Sequence, residues 1–159
     1  MEGSRGRADA ITMFMQSPRV VLIDDDALGR KLLCQALSEE GISVVGQAGS
    51  GEDGVEMVRD LRPEVVLMDL RLPDGSGIEA TRRIKEGVPY VQVLLLTAYD
   101  GELPSRSAQA VGACAYLLKG CPVSLIRDMV TSAATWSRAL RQADAQARTA
   151  APGGGARRG

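Results

Sequence analysis

Five apolar runs punctuate the chain, at residues 20–23, 42–45, 65–68, 91–96 and 115–118. Each is rich in Val, Ile, Leu or Ala and lacks polar alternation, which predicts strands buried on both faces. The segments between them carry helical spacing. Leu28, Leu32, Leu33, Ala36 and Leu37 read as one apolar stripe, stopped by Gly41. Val55, Val58 and Leu61 mark a second helix that ends before Pro63. Ser76 and Glu79 spell a capping box for a third, with Ile78 and Ile84 turned inward. Residues 104–111, "PSRSAQAV", make a poor fourth helix, with only Ala108 and Val111 as an apolar face. Pro122 suits a helix start and is followed by Leu125, Ile126, Met129, Val130 and Ala133. Five strands alternating with five helices predict an α/β fold with a parallel sheet covered on both sides. Such sheets bind ligands beyond the carboxyl ends of their strands, where the strand order reverses.

That rule gives the polar residues at the strand ends a common address. Asp24 and Asp25 follow the first strand, Asp69 the third, Thr97 the fourth and Lys119 the fifth. Each alone has a plain reading: a solvated loop, a turn, a core hydroxyl or a surface charge. Asp26, next in the acidic run, reads as the cap of the first helix. The joint position of the five argues for a site. Crowded carboxylates repel and call for a cation or raised pKa values. An all-oxygen set suits a hard ion such as Mg²⁺. A carboxylate can attack phosphorus to give an acyl phosphate, with a metal and a lysine offsetting the charge of the transferring group and the Thr97 hydroxyl donating to it.

Composition adds mainly exclusions. The 159 residues suit one ordinary domain, with 45% hydrophobic and 25% charged residues. A net charge of −1 supplies no field for nucleic acid or an anionic membrane. No apolar run is long enough to span a bilayer, and residues 1–17 lack the apolar stretch of a secretory signal. Cys34, Cys114 and Cys121 form no spaced framework and read as free thiols in a reducing cytoplasm. The chain has no histidine, which excludes a Ser–His triad and His-ligated zinc. Residues 142–159 are rich in Ala, Gly and Arg and read as a disordered tail, and residues 1–17 as a mobile extension, around a domain at 18–141.

The blocks "LIDDDAL", "MDLRLPDGSGIEA", "LLLTAYD" and "GACAYLLKG", over roughly residues 19–135, resemble the receiver domains of bacterial two-component response regulators. The wording is most similar to receivers of the NarL/LuxR type, which normally precede a helix-turn-helix. The resemblance implies a flavodoxin-like, CheY-like sheet of order 2-1-3-4-5. It implies phosphorylation of Asp69 by the phosphohistidine of a sensor histidine kinase. It implies Mg²⁺ held by Asp25, Asp69 and the Arg71 backbone carbonyl, with Asp24 acting through metal-bound water. Lys119 would contact the phosphoryl group, and Thr97 and Tyr116 would form a switch pair. Catalysis would be limited to Mg²⁺-dependent self-phosphorylation and self-dephosphorylation at Asp69.

Some positions depart from the pattern. Gly120 follows Lys119 where relatives often carry proline or aspartate, and the polar Pro104, Ser105, Arg106 and Gln109 predict a short or mobile fourth helix. No helix-turn-helix fits after Arg141, so the expected output is a protein partner of a stand-alone receiver. The alternative is a shortened DNA-binding regulator, although direct DNA binding by this chain alone is not expected, and a homodimer is left open. "GSGEDG" at 49–54 matches a dinucleotide-binding fingerprint, but Ser50 with Asp53 reads more simply as a helix start. An aspartate-nucleophile phosphatase would need an acid where Arg71 stands. Trp136 and Leu140 either cover the core or meet a partner.

Overall fold

The computed structural model describes residues 16–98 and 109–150. Five strands form one parallel sheet: β1 (Arg19–Ile23), β2 (Ser43–Ala48), β3 (Val65–Asp69), β4 (Gln92–Thr97) and β5 (Ala115–Leu118), in the order β2-β1-β3-β4-β5. That is the predicted flavodoxin-like arrangement, with its reversal between β1 and β3. Helices α1 (Ala27–Glu39), α2 (Gly51–Leu61), α3 (Gly77–Gly87) and a C-terminal helix (Val123–Ala150) cover it. A two-residue ladder, Arg71–Leu72 with Gly75–Ser76, leads from β3 into α3.

The apolar runs lack polar alternation because each face of the sheet has its own core. Val21, Ile23, Val66, Met68, Val93 and Leu95 pack on one side with Val55, Val58 and Ile84. Val20, Leu22, Val65, Leu67, Leu94 and Leu96 pack on the other with Leu37, Ile126, Val130 and Ala134. The register pairs Ile23 with Met68, Asp69 with Leu96 and Thr97 with Leu118. The polar residues at the strand ends therefore arrive at one edge.

Several local expectations are corrected. β2 runs to Ala48 and is an edge strand whose middle is only half-buried. The predicted stripe of α1 is too wide: Leu28 and Leu32 are 66% and 58% exposed, and only Leu37 is fully buried. Leu28 lies about half a turn around the helix from Leu37, so one face cannot hold both. Leu33, Cys34 and Leu37 carry the packing instead. Asp26 stands at the first cap position, but its side chain makes no capping hydrogen bond. Ser76 caps α3 through the Ile78 N–H, whereas Glu79 pairs with Arg82 and leaves the capping box half made. The C-terminal helix continues past Arg141 to Ala150, where a disordered tail was expected. Ala and Gln favour helix, and Asp144 pairs with Arg148 at a distance of 3.1 Å one turn on. Trp136 and Leu140 point outward, 61% and 37% exposed.

The glycine fingerprint at 49–54 has a packing explanation. Ser50 accepts the Asp53 N–H, as expected of a helix start. A Cβ on Gly54 would sit 2.9 Å from Cγ1 of Ile23, so the glycine lets α2 lie close on β1. The expectation for the fourth helix falls largely on residues outside those described. No cis peptide occurs among the described residues, and Gly120 takes a φ of +87°, a conformation that favours glycine.

Candidate functional site

β1 delivers its acids by a tight turn. The Asp24 N–H donates to the Ala48 carbonyl at 3.0 Å, and the Asp26 N–H donates to Asp24 Oδ1 at 2.9 Å. Asp24 is buried at 5% exposure, while Asp25 is exposed toward the edge of the sheet. Asp69, the last residue of β3, is 6% exposed, and its Oδ1 accepts the Arg71 N–H at 3.2 Å. Lys119 is aligned by its own backbone, whose N–H donates to the Thr97 carbonyl at 2.7 Å. Its ammonium bridges Asp24 Oδ2 and Asp69 Oδ2, each at 2.9 Å.

Asp25, Asp69, Leu70, Arg71, Thr97, Ala98 and Lys119 line a cavity of 520 Å³, to which Asp24 is joined through the Lys119 ammonium. Six of the seven positions singled out from sequence are thus brought together: Asp24, Asp25, Asp69, Arg71, Thr97 and Lys119. Tyr116 is not among the cavity's lining and lies 45% exposed on β5.

Electrostatics sets what the site can do. Asp24, Asp25 and Asp69 each offer an oxygen, all within 4.8 Å of one another. Burial pushes the Asp69 carboxyl above its ordinary range, and the Asp24 charge adds to this, against hydrogen bonds from Lys119 and Arg71. Burial alone would lower Lys119, but its hydrogen bonds and charge pairing with the two acids outweigh that and raise it. One ammonium faces three carboxylates, so the cluster has negative charge to spare. Hard oxygen donors with a surplus negative charge fit a small divalent cation, and Mg²⁺ takes one or two carboxylates while keeping water.

Two residues shape the site without standing out in sequence. Asp74, in the loop after β3, accepts the Gly51 N–H at 2.8 Å and the Glu52 N–H at 2.9 Å, tying that loop to the start of α2. Asp74→Ala is expected to cost about 1 kcal/mol of stability at neutral pH, as removal of a helix cap does. The Glu52 and then the Gly51 N–H hold the Asp74 carboxyl below its ordinary value. A depressed folded pKa stabilises above the unfolded value of about 3.9 and loses that contribution as pH falls through the folded value. The gap between wild type and variant in urea unfolding should therefore be full at pH 7 and close below about pH 4. The second residue, Gly77, opens α3 against the backbone of Asp69: a Cβ there would lie 3.0 Å from the Asp69 carbonyl carbon and overlap its oxygen outright.

The response regulator receiver domain family matches residues 20–131. The chain is 40% identical over 104 residues to the response regulator GacA of Pseudomonas aeruginosa, covering 64% of this chain and 48% of that protein. It is 40% identical over 116 residues to the response regulator UvrY of Escherichia coli strain K12, covering 69% and 53%. It thus spans about half the length of these curated relatives. Among solved structures it is similar to the signal receiver domain of NarL from Mycobacterium tuberculosis, with 32% identity, a TM-score of 0.68 and coverage of 75% and 97%. A LuxR-family two-component response regulator from Aurantimonas sp. SI85-9A1 shows 26% identity, a TM-score of 0.71 and coverage of 84% and 99%.

Proposed function

The chain belongs to the response regulator receiver family, and from this we propose that Asp69 accepts a phosphoryl group from a sensor histidine kinase. The observation that carries the reading is the Lys119 ammonium held 2.9 Å from both Asp24 and Asp69 beside an open cavity. An Asp69 oxygen attacks phosphorus, the phosphorus–nitrogen bond of the donor phosphohistidine breaks, and the released imidazole takes up a proton. Lys119 exchanges its contact with the Asp69 carboxylate for one with a phosphoryl oxygen. Thr97 donates its hydroxyl to another. Asp25, Asp69 and the Arg71 carbonyl would hold Mg²⁺, with Asp24 acting through water. When bound, the ion offsets the charge gathered between the phosphoryl group and the carboxylates. Self-phosphorylation and slow loss of the phosphate are the chemistry this arrangement supports.

The switch follows from the new charge. Movement of Thr97 toward the phosphate vacates space into which the exposed ring of Tyr116 turns, biasing the surface around β5 between two arrangements. Inverting a 1:99 population takes about 5.5 kcal/mol of differential stabilisation. We assign the output to a protein partner at this surface, consistent with a net charge of −1. The chain spans about half of GacA and UvrY, and it resembles NarL/LuxR-type receivers that normally precede a helix-turn-helix; together these favour a second reading, in which this receiver serves a DNA-binding transcriptional regulator. Sequence-selective, salt-dependent DNA affinity of the phosphorylated protein would establish that second reading. Among the described residues no helix is long and apolar enough to cross a membrane.

Intact mass after incubation with a small acyl phosphate, with and without Mg²⁺, tests the site. The expected result is a Mg²⁺-dependent gain of one phosphoryl group in the wild type and none in Asp69→Asn. Equal gain in both proteins would remove Asp69 as acceptor.

A further inference from the structure

Arg30, in the first turn of α1, is neither in the cavity lining nor among the residues assigned above to phosphoryl transfer. Its Nη1 donates to the backbone carbonyl of Asp24. The same nitrogen lies 3.4 Å from where a Cβ on Gly49 would stand, so the guanidinium is wedged between the turn after β1 and the turn after β2. Its Nε is buried with no hydrogen-bond partner among the described residues. A buried donor left unsatisfied calls for an explanation, and the bond made by Nη1 offers one.

What Nη1 does is fix a peptide plane. The Asp24 N–H is already held by the Ala48 carbonyl at 3.0 Å, and Arg30 holds the carbonyl on the other side of the same residue. That carbonyl belongs to the peptide joining Asp24 to Asp25. The Asp25 carboxylate lines the cavity and has no hydrogen-bond partner of its own among the described residues. Its aim therefore depends on the backbone that carries it.

We propose that Arg30 is a positioning residue for the cation site, acting through the Asp24–Asp25 peptide to aim the Asp25 carboxylate. This rests on the function proposed above and adds a residue to it. Outer residues that orient metal ligands typically change affinity by about 10- to 100-fold when removed. The sign of the effect separates positioning from simple charge. Removing a cation near the site would, by Coulomb attraction alone, tighten Mg²⁺ binding. Removing a positioning residue loosens it.

The test is calorimetric titration of the full chain with Mg²⁺ alone, for wild type, Arg30→Met and Arg30→Lys. The Met variant should bind at least about tenfold more weakly. The Lys variant, which keeps a charged donor, should recover most of that loss. In acyl-phosphate labelling, the Mg²⁺ concentration for half-maximal rate should rise in Arg30→Met while the rate at saturating Mg²⁺ stays near wild type. A general structural defect would not produce that split. Should Arg30→Met fail to fold, Arg30→Leu, which likewise removes the donor, takes its place with weakened binding again expected. Unchanged or tighter Mg²⁺ binding in the neutral variant overturns the inference while leaving the proposed function standing. A wild type that binds no Mg²⁺ overturns both.

Discussion

Lys119→Met is expected to destabilise the metal-free protein at pH 7 by about 3 kcal/mol, with Mg²⁺ recovering most of the loss. The ammonium bridges two carboxylates that are 5% and 6% exposed, and without it both are left buried with no ion-pair partner among the described residues. Breaking a buried pair by removing one partner typically costs about 3–5 kcal/mol. The lower end applies because the Lys119 side chain is 31% exposed and water screens part of its charge. A divalent ion among the Asp24, Asp25 and Asp69 oxygens takes over the neutralising role. The Mg²⁺-induced rise in melting temperature should therefore be larger in Lys119→Met than in wild type. Thermal unfolding of both proteins, with chelator and with Mg²⁺, measures this directly. Equal melting temperatures in chelator would show that the bridge contributes nothing to the fold. An equal Mg²⁺ response would show that the ion and the ammonium do not share the same carboxylates.

The same bridge explains why much of the site was legible before any coordinates. Asp24, Asp69 and Lys119 lie 45 and 50 residues apart along the chain, yet each directly follows a strand core. A parallel sheet brings such positions to one edge whatever the helices between them do. The strands were legible for a related reason: with a core on each face, the runs of β1, β3 and β4 admit no polar alternation. Helix faces were less legible because apolar spacing does not say which side meets the sheet. Leu28 and Leu32 fit a stripe on paper and lie in solvent, where Leu33 and Leu37 do the packing. Several polar pairings outside that edge were not legible. Asp74 reaches back to the amides of Gly51 and Glu52, Arg30 to the Asp24 carbonyl, and Glu79 turns to Arg82 instead of to its cap. Short polar side chains in loops and long charged ones on helices have many partners open to them in sequence. The choice is made by tertiary distance.

Gly77→Ala should show how closely the acceptor depends on such distances. The N–H of Gly77 donates to the Leu70 carbonyl at 2.9 Å, so α3 begins directly against the chain that leaves Asp69. An added Cβ would sit 3.0 Å from the Asp69 carbonyl carbon and 3.1 Å from the Leu70 Cα, and would overlap the Asp69 carbonyl oxygen. These are backbone atoms, so no side-chain rotation relieves the clash. Either α3 lifts from the sheet or the end of β3 moves. α3 is anchored on the sheet by Ile84, fully buried, and by Ala80, both in the core on that face. The end of β3 pairs at Asp69 with Leu96 of β4 but with no residue of β1, and it carries the acceptor. Overpacking of this kind costs about 1–3 kcal/mol of stability. A displacement near 1 Å at a reacting group can cost about 10²-fold in rate. Gly77→Ala is therefore expected to remain folded, with acyl-phosphate labelling of Asp69 slowed by about two orders of magnitude at saturating Mg²⁺. Glu79→Ala, on the exposed face of the same helix, is the control and should label at the wild-type rate. A folded Gly77→Ala protein labelled as fast as wild type would mean that α3 yields first, and that the position of Asp69 is set by β3 and β4 alone.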